Sequence, residues 1–320
     1  MRLGIAGCGR ITERGYVPAA LGAEGVTIAA FADPDPGRLG DCLELWRRGG
    51  GEARGFAGLA DLLEGEPIDL LVVAAPLAHH VALAEEAAAA GVPALVEKPP
   101  APDRAGAERL AALDPEPFLA FNRRFLQGAE MRDSVPAEGW VELELEMRFQ
   151  QGSWGAHEVR DEALLDAGIH LVDLACHLSA AAPIAVRQAE IAPQRASLEL
   201  ELTRGRARIE CATNRGHREA VRVRDRSGKL VAHSTWGGLR SRLGGVLGKP
   251  DPLLLSLQRQ LEALRDAAFV LSGAVPPKGR TPLASAADGA AAMAVVEAAR
   301  RSAELGGAEV TVAPVAEVSA

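Results

Sequence analysis

Two short segments of this chain hold residue types that could do chemistry together, and a third could hold the molecule they act with. Lys98 closes the apolar run Ala94 to Val96 within Glu97-Lys98-Pro99-Pro100, and Asp166, His170 and Asp173 recur along Leu164 to Leu174. If the second segment is helical, i+4 and i+3 spacing puts the two carboxylates and the imidazole on one face. Such a set can move protons or hold a metal ion. For the metal alternative, Asp166, His170, Asp173 and His177 follow one stripe, but it spans about 16 Å at 1.5 Å per residue, too long for all four to meet one ion. No metal is expected. The third segment, Gly7-Cys8-Gly9-Arg10-Ile11-Thr12, follows the apolar run Leu3 to Ala6. Glycines there let the chain turn tightly and let backbone N–H groups approach a pyrophosphate at a helix N-terminus. Thr12 stands where the third glycine of such a loop is usual.

The next apolar run, Thr27 to Ala32, ends in Asp33, the place from which a carboxylate accepts hydrogen bonds from adenosine ribose hydroxyls. A carboxylate there repels a 2′-phosphate, so NAD is favoured over NADP. Arg38 lies close enough in sequence to leave NADP open. Asp33-Pro34-Asp35-Pro36 also reads as a plain turn after a strand.

These residues need rigid elements under them. From Met1 to about Ala120 short apolar runs alternate with helical segments, the pattern of a parallel sheet covered by helices. Leu3 to Ala6, Thr27 to Ala32, Leu70 to Ala74, Ala94 to Val96 and Phe118 to Phe121 read as strands, and Leu83 to Ala90 and Arg104 to Leu113 as helices. Lys98 then lies at the carboxyl edge of the sheet, where doubly wound folds bind ligands. Beyond Asn122 apolar Val141, Leu143, Leu145, Met147 and Phe149 alternate with Glu142, Glu144, Glu146 and Arg148, a strand with one wet face. Ser197 to Leu202, Arg206 to Thr213, Ala220 to Val223 and Leu230 to Ala232 continue the pattern. The reading is an α/β chain: a doubly wound Rossmann domain at 1–121, then an α+β domain at 122–320 with a mainly antiparallel, open-faced sheet. Outward Glu142, Glu144, Glu146, Glu199 and Glu201 face Arg206, Arg208, Arg222 and Arg224 as expected cross-strand ion pairs. Leu253 to Val270 and Ala286 to Glu304 read as helices, Val310 to Val312 as a last strand, and Gly237 to Pro252 as a loop.

With 320 residues, a net charge of −8 and a pI near 5.5, the chain suits two domains and repels nucleic acid and anionic membranes. The opening MRLGIAGCGR has no basic stretch ahead of a long apolar one, so it does not read as a signal peptide. The four cysteines show no CxxC spacing and are expected to remain thiols. A cytoplasmic protein is expected.

The chain resembles the Gfo/Idh/MocA oxidoreductases. The resemblance runs through GIAGCGRI, AFADPDPGR, Pro76 with His80, VEKP, FNRRF, LLDAGIHLVDL and the closing VVEAARRSAELG. It implies hydride transfer between NAD or NADP and a hydroxyl or keto carbon of a sugar, amino sugar or cyclitol. Cofactor contacts carried over are Gly7, Gly9, Arg10, Ile11, Asp33, Arg38, Pro76, His80, Glu97 and Lys98. Lys98, Asp166 and His170 would be catalytic, with His170 as general base, Asp166 orienting it and Lys98 stabilising charge on the reacting oxygen. Substrate contacts would include Asn122, Arg123, Arg160 and His170, and a homodimer or homotetramer is expected. Two departures matter: Leu77 replaces a common Asn, and Arg160-Asp161-Glu162 replaces a run of glycines. Arg160, with Arg123 or Arg124, points to an anionic sugar. Two other readings stay open, glycoside cleavage through transient oxidation and a cofactor-binding regulator without turnover.

Overall fold

The computed structural model describes residues 1–136, 138–150, 162–237, 251–271 and 283–314. The chain forms two compact units, Met1–Phe125 with Asp251–Gly289, and Leu126–Pro250 with Ala290–Glu317.

In the first unit β1 (Arg2–Ala6), β2 (Thr27–Ala32), β3 (Arg54–Phe56), β4 (Leu70–Val73), β5 (Ala94–Val96) and β6 (Phe118–Leu119) alternate with helices. These are α1 (Val17–Gly22), α2 (Pro36–Arg48), α3 (Leu59–Gly65), α4 (His80–Ala89) and α5 (Arg104–Ala111). With β13 (Ala284–Ser285) the strands form a sheet ordered β13-β6-β5-β4-β1-β2-β3, parallel except at β13. Leu3, Ile5, Ile28, Phe31, Leu71, Val72 and Leu95 are fully buried, as strands covered on both faces must be. Strand order reverses between β1 and β4, which makes the crevice at their carboxyl ends the natural ligand site.

A single cut after residue 121 does not describe this division. Helix α8 (Pro252–Leu271) belongs with the first unit because Leu257, Leu261 and Leu264 complete the apolar cluster around Tyr16, Val17 and Ala20. Gly15 permits the approach, since a Cβ there would lie 2.9 Å from Leu257.

The second unit's sheet is built from β7 (Val141–Gln150), β8 (Pro183–Ala192), β9 (Arg195–Leu202), β10 (Gly205–Ala212), β11 (Asn214–Asp225), β12 (Leu230–Gly237) and β14 (Val310–Thr311). Its order is β12-β11-β7-β10-β9-β8-β14, antiparallel except for the parallel pair β7/β10. The helices are α6 (Gln127–Met131), α7 (Ile169–Ser179) and α9 (Ala286–Glu304), and α7 packs on β7 and β10. Leu143, Leu145, Leu200, Ile209 and Val221 form the buried face. On the other face Arg206 pairs with Glu142, Arg222 and Arg224 with Glu144, Arg218 with Glu146, and Arg187 with Glu199. Arg208 instead pairs along its own strand with Glu210. Exposed pairs of this kind contribute about 0.2–1 kcal/mol each.

Most of the expected loop Gly237 to Pro252 lies outside the described residues. Among the described residues no helix is long and apolar enough to cross a membrane, and the four cysteines are free thiols.

Leu261→Ala should lower the unfolding free energy by about 2–5 kcal/mol, because Leu261 is 0% exposed in the first unit's core. Leu230→Ala, at an exposed position, should change it by no more than about 0.5 kcal/mol. Urea titration of both variants checks the pair, and equal effects would contradict the assignment of α8 to this core.

Candidate functional site

The glycine loop sits at the crevice between β1 and β4. Gly7 has φ +102°, and a Cβ there would lie 2.5 Å from the Ala74 carbonyl oxygen. Only glycine meets both demands. Its N–H donates to Ala32 O at 2.8 Å. Around Gly9 a Cβ would touch nothing within 4 Å, so backbone there faces open space. Residues 10–22 then run helically, with a π-helical turn at Thr12–Tyr16, and Arg10 and Ile11 half-buried at the start. Thr12 does not act as a third glycine. It is fully buried, and its hydroxyl donates to Gly7 O at 2.6 Å, bracing the loop from below.

Asp33 ties this loop to the end of β2. One carboxylate oxygen accepts from the Cys8 N–H and the other from the Asp35 N–H, both at 2.8 Å. Each oxygen keeps a second lone pair for a ribose hydroxyl. Arg38 lies 3.7 Å from Asp33 and 3.5 Å from Asp35. Asp35 caps α2, and the backbone N–H groups of Arg38 and Gly37 hold its carboxyl below the usual range. An open backbone cradle at a helix start beside a buried ribose-type carboxylate fits a nicotinamide adenine dinucleotide.

At the ends of β4 and β5 the side chains turn inward. Pro76 is exposed and leads through the 3-10 turn Leu77–His79 into α4. Both ring nitrogens of His80 face carbonyls, Nδ1 at 2.9 Å from Pro99 O and Nε2 at 2.8 Å from Ala75 O. Carbonyls only accept, so the ring donates through whichever nitrogen carries a proton. Glu97 accepts from the Tyr16 hydroxyl at 2.7 Å and from the Lys98 backbone N–H at 3.1 Å. Burial pushes the Glu97 carboxyl up, against the pull of Tyr16, Lys98 and His80. Glu97 and His80, expected among the cofactor contacts, thus have their polar atoms engaged inside the unit. Lys98 itself is half-buried. Tyr16 is the residue that sequence reasoning missed; its being the chain's one tyrosine was the available signal.

Asn122, Arg123, Arg124 and Phe125 form a short 3-10 turn after β6. Arg123 donates to the Asn122 side-chain oxygen at 2.8 Å. Buried Arg124 lies 3.1 Å from Asp288 and donates to Leu283 O, which leaves Arg123 as the better candidate for a substrate anion.

In the second unit Asp166 lies on a π-helical turn, Leu164–Gly168, that continues into α7. Such wide turns are frequent at functional sites. Gly168 lets the turn lie on β10, because a Cβ there would meet Leu164 at 2.8 Å and Cys211 Sγ at 3.3 Å. Cys211 donates to Ala163 O, and burial pushes its thiol up to about 12. Asp166 is half-buried, while His170 and Asp173 are buried in α7. Glu162 is held by Arg300 at 2.5 Å, whereas Arg160 and Asp161 lie outside the described residues. Among the described residues no group of three His, Cys, Asp or Glu side chains is placed to hold a metal ion.

Comparison with known proteins agrees with this geometry. Residues 1–116 match the model of the Gfo/Idh/MocA oxidoreductase family, NAD-binding Rossmann fold. An inositol 2-dehydrogenase of Leifsonia xyli is 32% identical over 130 residues, 39% of this chain and 37% of that protein. A galactose 1-dehydrogenase of Pseudomonas fluorescens is 34% identical over 104 residues, 31% and 29% of the two chains. The matched stretches therefore span well under half of these relatives. The fold likeness is longer: the structure of myo-inositol dehydrogenase from Lactobacillus casei, in complex with NAD(H) and myo-inositol, superposes with a TM-score of 0.74. It is 15% identical and covers 98% of this chain and 97% of that one. Residues 1–116 thus match the NAD-binding Rossmann fold of the Gfo/Idh/MocA oxidoreductase family, and the two-unit fold is shared with dehydrogenases of solved structure.

Proposed function

We propose that the chain is an NAD-dependent oxidoreductase that transfers a hydride between the nicotinamide and a hydroxyl or keto carbon of a sugar, amino sugar or cyclitol. The observation that carries this reading is the Asp33 carboxylate fixed beside open backbone at Gly9. When bound, the dinucleotide supplies the hydride donor or acceptor. The chain's own residues do the rest. His170 takes the hydroxyl proton as the carbinol is oxidised, Asp166 steadies the imidazole, and Lys98 donates a hydrogen bond to the reacting oxygen. The chain has four lysines among its 35 Lys and Arg residues. A lysine at position 98 is then a chemical choice, because an ammonium can release a proton and a guanidinium cannot. Asn122, Arg123 and Arg160 are proposed to meet the substrate, the arginines favouring an anionic sugar.

The inositol and galactose specificities named for the two relatives support the substrate class. The acidic charge and the absence of disulfides among the described residues support a cytoplasmic location; a homodimer or homotetramer rests on the family resemblance.

Calorimetric titration should find NAD bound more tightly than NADP. Gly9→Ala should keep the unfolding midpoint and weaken NAD binding roughly tenfold or more, while Gly7→Ala should destabilise the fold itself. A preference for NADP would sink the Asp33 argument.

Lys98→Ala and His170→Ala should each lower kcat by about a hundredfold to ten-thousandfold while NAD affinity changes far less, and Asp166→Asn should fall between them and wild type. Nicotinamide absorbance with a panel of polyols, aldoses and uronates reads these rates. Wild-type turnover in folded His170→Ala would remove it from the mechanism.

A further inference from the structure

The helix that begins at the glycine loop reaches the Lys98 segment through one buried hydroxyl. Tyr16 is 0% exposed and packs among Val17, Leu95 and Leu257. A phenylalanine would fill nearly the same volume in that apolar cluster without burying a hydroxyl. The tyrosine hydroxyl instead spends its hydrogen bond on Glu97 Oε1 at 2.7 Å, while Glu97 Oε2 receives the backbone N–H of Lys98 at 3.1 Å. The carboxylate is thus gripped by the glycine-loop helix on one side and by the lysine's own peptide on the other. His80, bridging Ala75 O and Pro99 O, holds the same segment one residue further on.

We propose that Tyr16 is a positioning residue for Lys98, acting through the Glu97 carboxylate. This rests on the reading of Lys98 as the group that meets the reacting oxygen.

The charged groups that face Glu97 are Lys98 and His80, with the Tyr16 hydroxyl as its side-chain donor. Burial favours the neutral carboxyl; the Tyr16 hydrogen bond, Lys98 and His80 favour the carboxylate. Removing the hydroxyl leaves a buried acceptor unpaired, which costs more than the bond itself contributes. The carboxylate is then no longer held where the Lys98 N–H meets it, and Lys98 loses an anionic neighbour fixed at short range. A lysine without that neighbour releases its proton more readily. The helix that begins at the dinucleotide loop therefore sets both the position and the proton affinity of Lys98.

The small number of lysines makes the test direct. The full-length protein is reductively methylated with carbon-13 formaldehyde, and the dimethyl-lysine signals are titrated by NMR. Lys98 is assigned by its loss in Lys98→Arg. In Tyr16→Phe the Lys98 midpoint should fall by about one pH unit, with Lys229, Lys249 and Lys278 unmoved and NAD affinity retained. A merely structural tyrosine would leave the midpoint alone. Titration of Lys98 identical to wild type in folded Tyr16→Phe overturns the proposal. If Tyr16→Phe does not fold, Glu97→Gln removes the charge and keeps an acceptor for Tyr16; the same fall is expected, and its absence overturns the proposal. The readout needs no substrate, so a negative result leaves the hydride-transfer reading standing, and failure of that reading leaves the titration to stand by itself.

Discussion

At the carboxyl ends of β1 and β4 two backbones approach so closely that no side chain fits between them. Gly7 lies against the Ala74 carbonyl at a distance a Cβ could not tolerate, in a conformation that L side chains rarely adopt. Once that contact is made, the loop has few choices left. The Thr12 hydroxyl braces Gly7 O, the Cys8 N–H reaches Asp33, and the helix leaves the loop in a direction that drops Tyr16 onto Glu97. The same carboxyl end of β4 continues through Ala75 into the His80 bridge. The cradle and the lysine segment are therefore parts of one braced layer.

The second unit solves a different problem with a similar device. Its Asp166 sits on a wide helical turn, as Tyr16 does in the first unit. A π turn inserts an extra residue into the hydrogen-bonded circuit and shifts the side chains after it relative to a regular helix. Gly168 is small enough to let that turn lie over the Cys211 thiol, which burial keeps protonated and inert.

Much of this was legible in the sequence. The parallel strands, buried on both faces, stood out as continuous apolar runs, and the alternation of β7 marked a half-exposed sheet. The glycine loop and Asp33 were readable because backbone geometry dictates their residue types. Other elements were hidden for physical reasons. Helix α2 buries only Cys42 and Trp46, too thin a stripe to show as a period. Strand β8 breaks its alternation at a bulge between Arg187 and Glu190, where Gln188 takes φ +50°. The inward turn of Glu97 and His80 could not be read from motifs, since a motif gives order along the chain and not the direction of a side chain. The α8 boundary was missed because a long-range packing partner leaves no mark in the local pattern.

That late helix gives the first unit a history as well as a shape. When residue 125 has been synthesised, six strands of the sheet exist, but Leu257, Leu261 and Leu264, which close the cluster over Tyr16 and Val17, do not. At about 5–20 residues per second, the ribosome needs roughly 7 to 30 seconds more to reach the end of α8. Throughout that interval the nascent glycine-loop helix carries an uncovered apolar side, in a crowded cell where other chains compete for it. The unit that binds the dinucleotide begins first and finishes late, so its exposure to chaperones and to misassembly is set by the length of what is made in between.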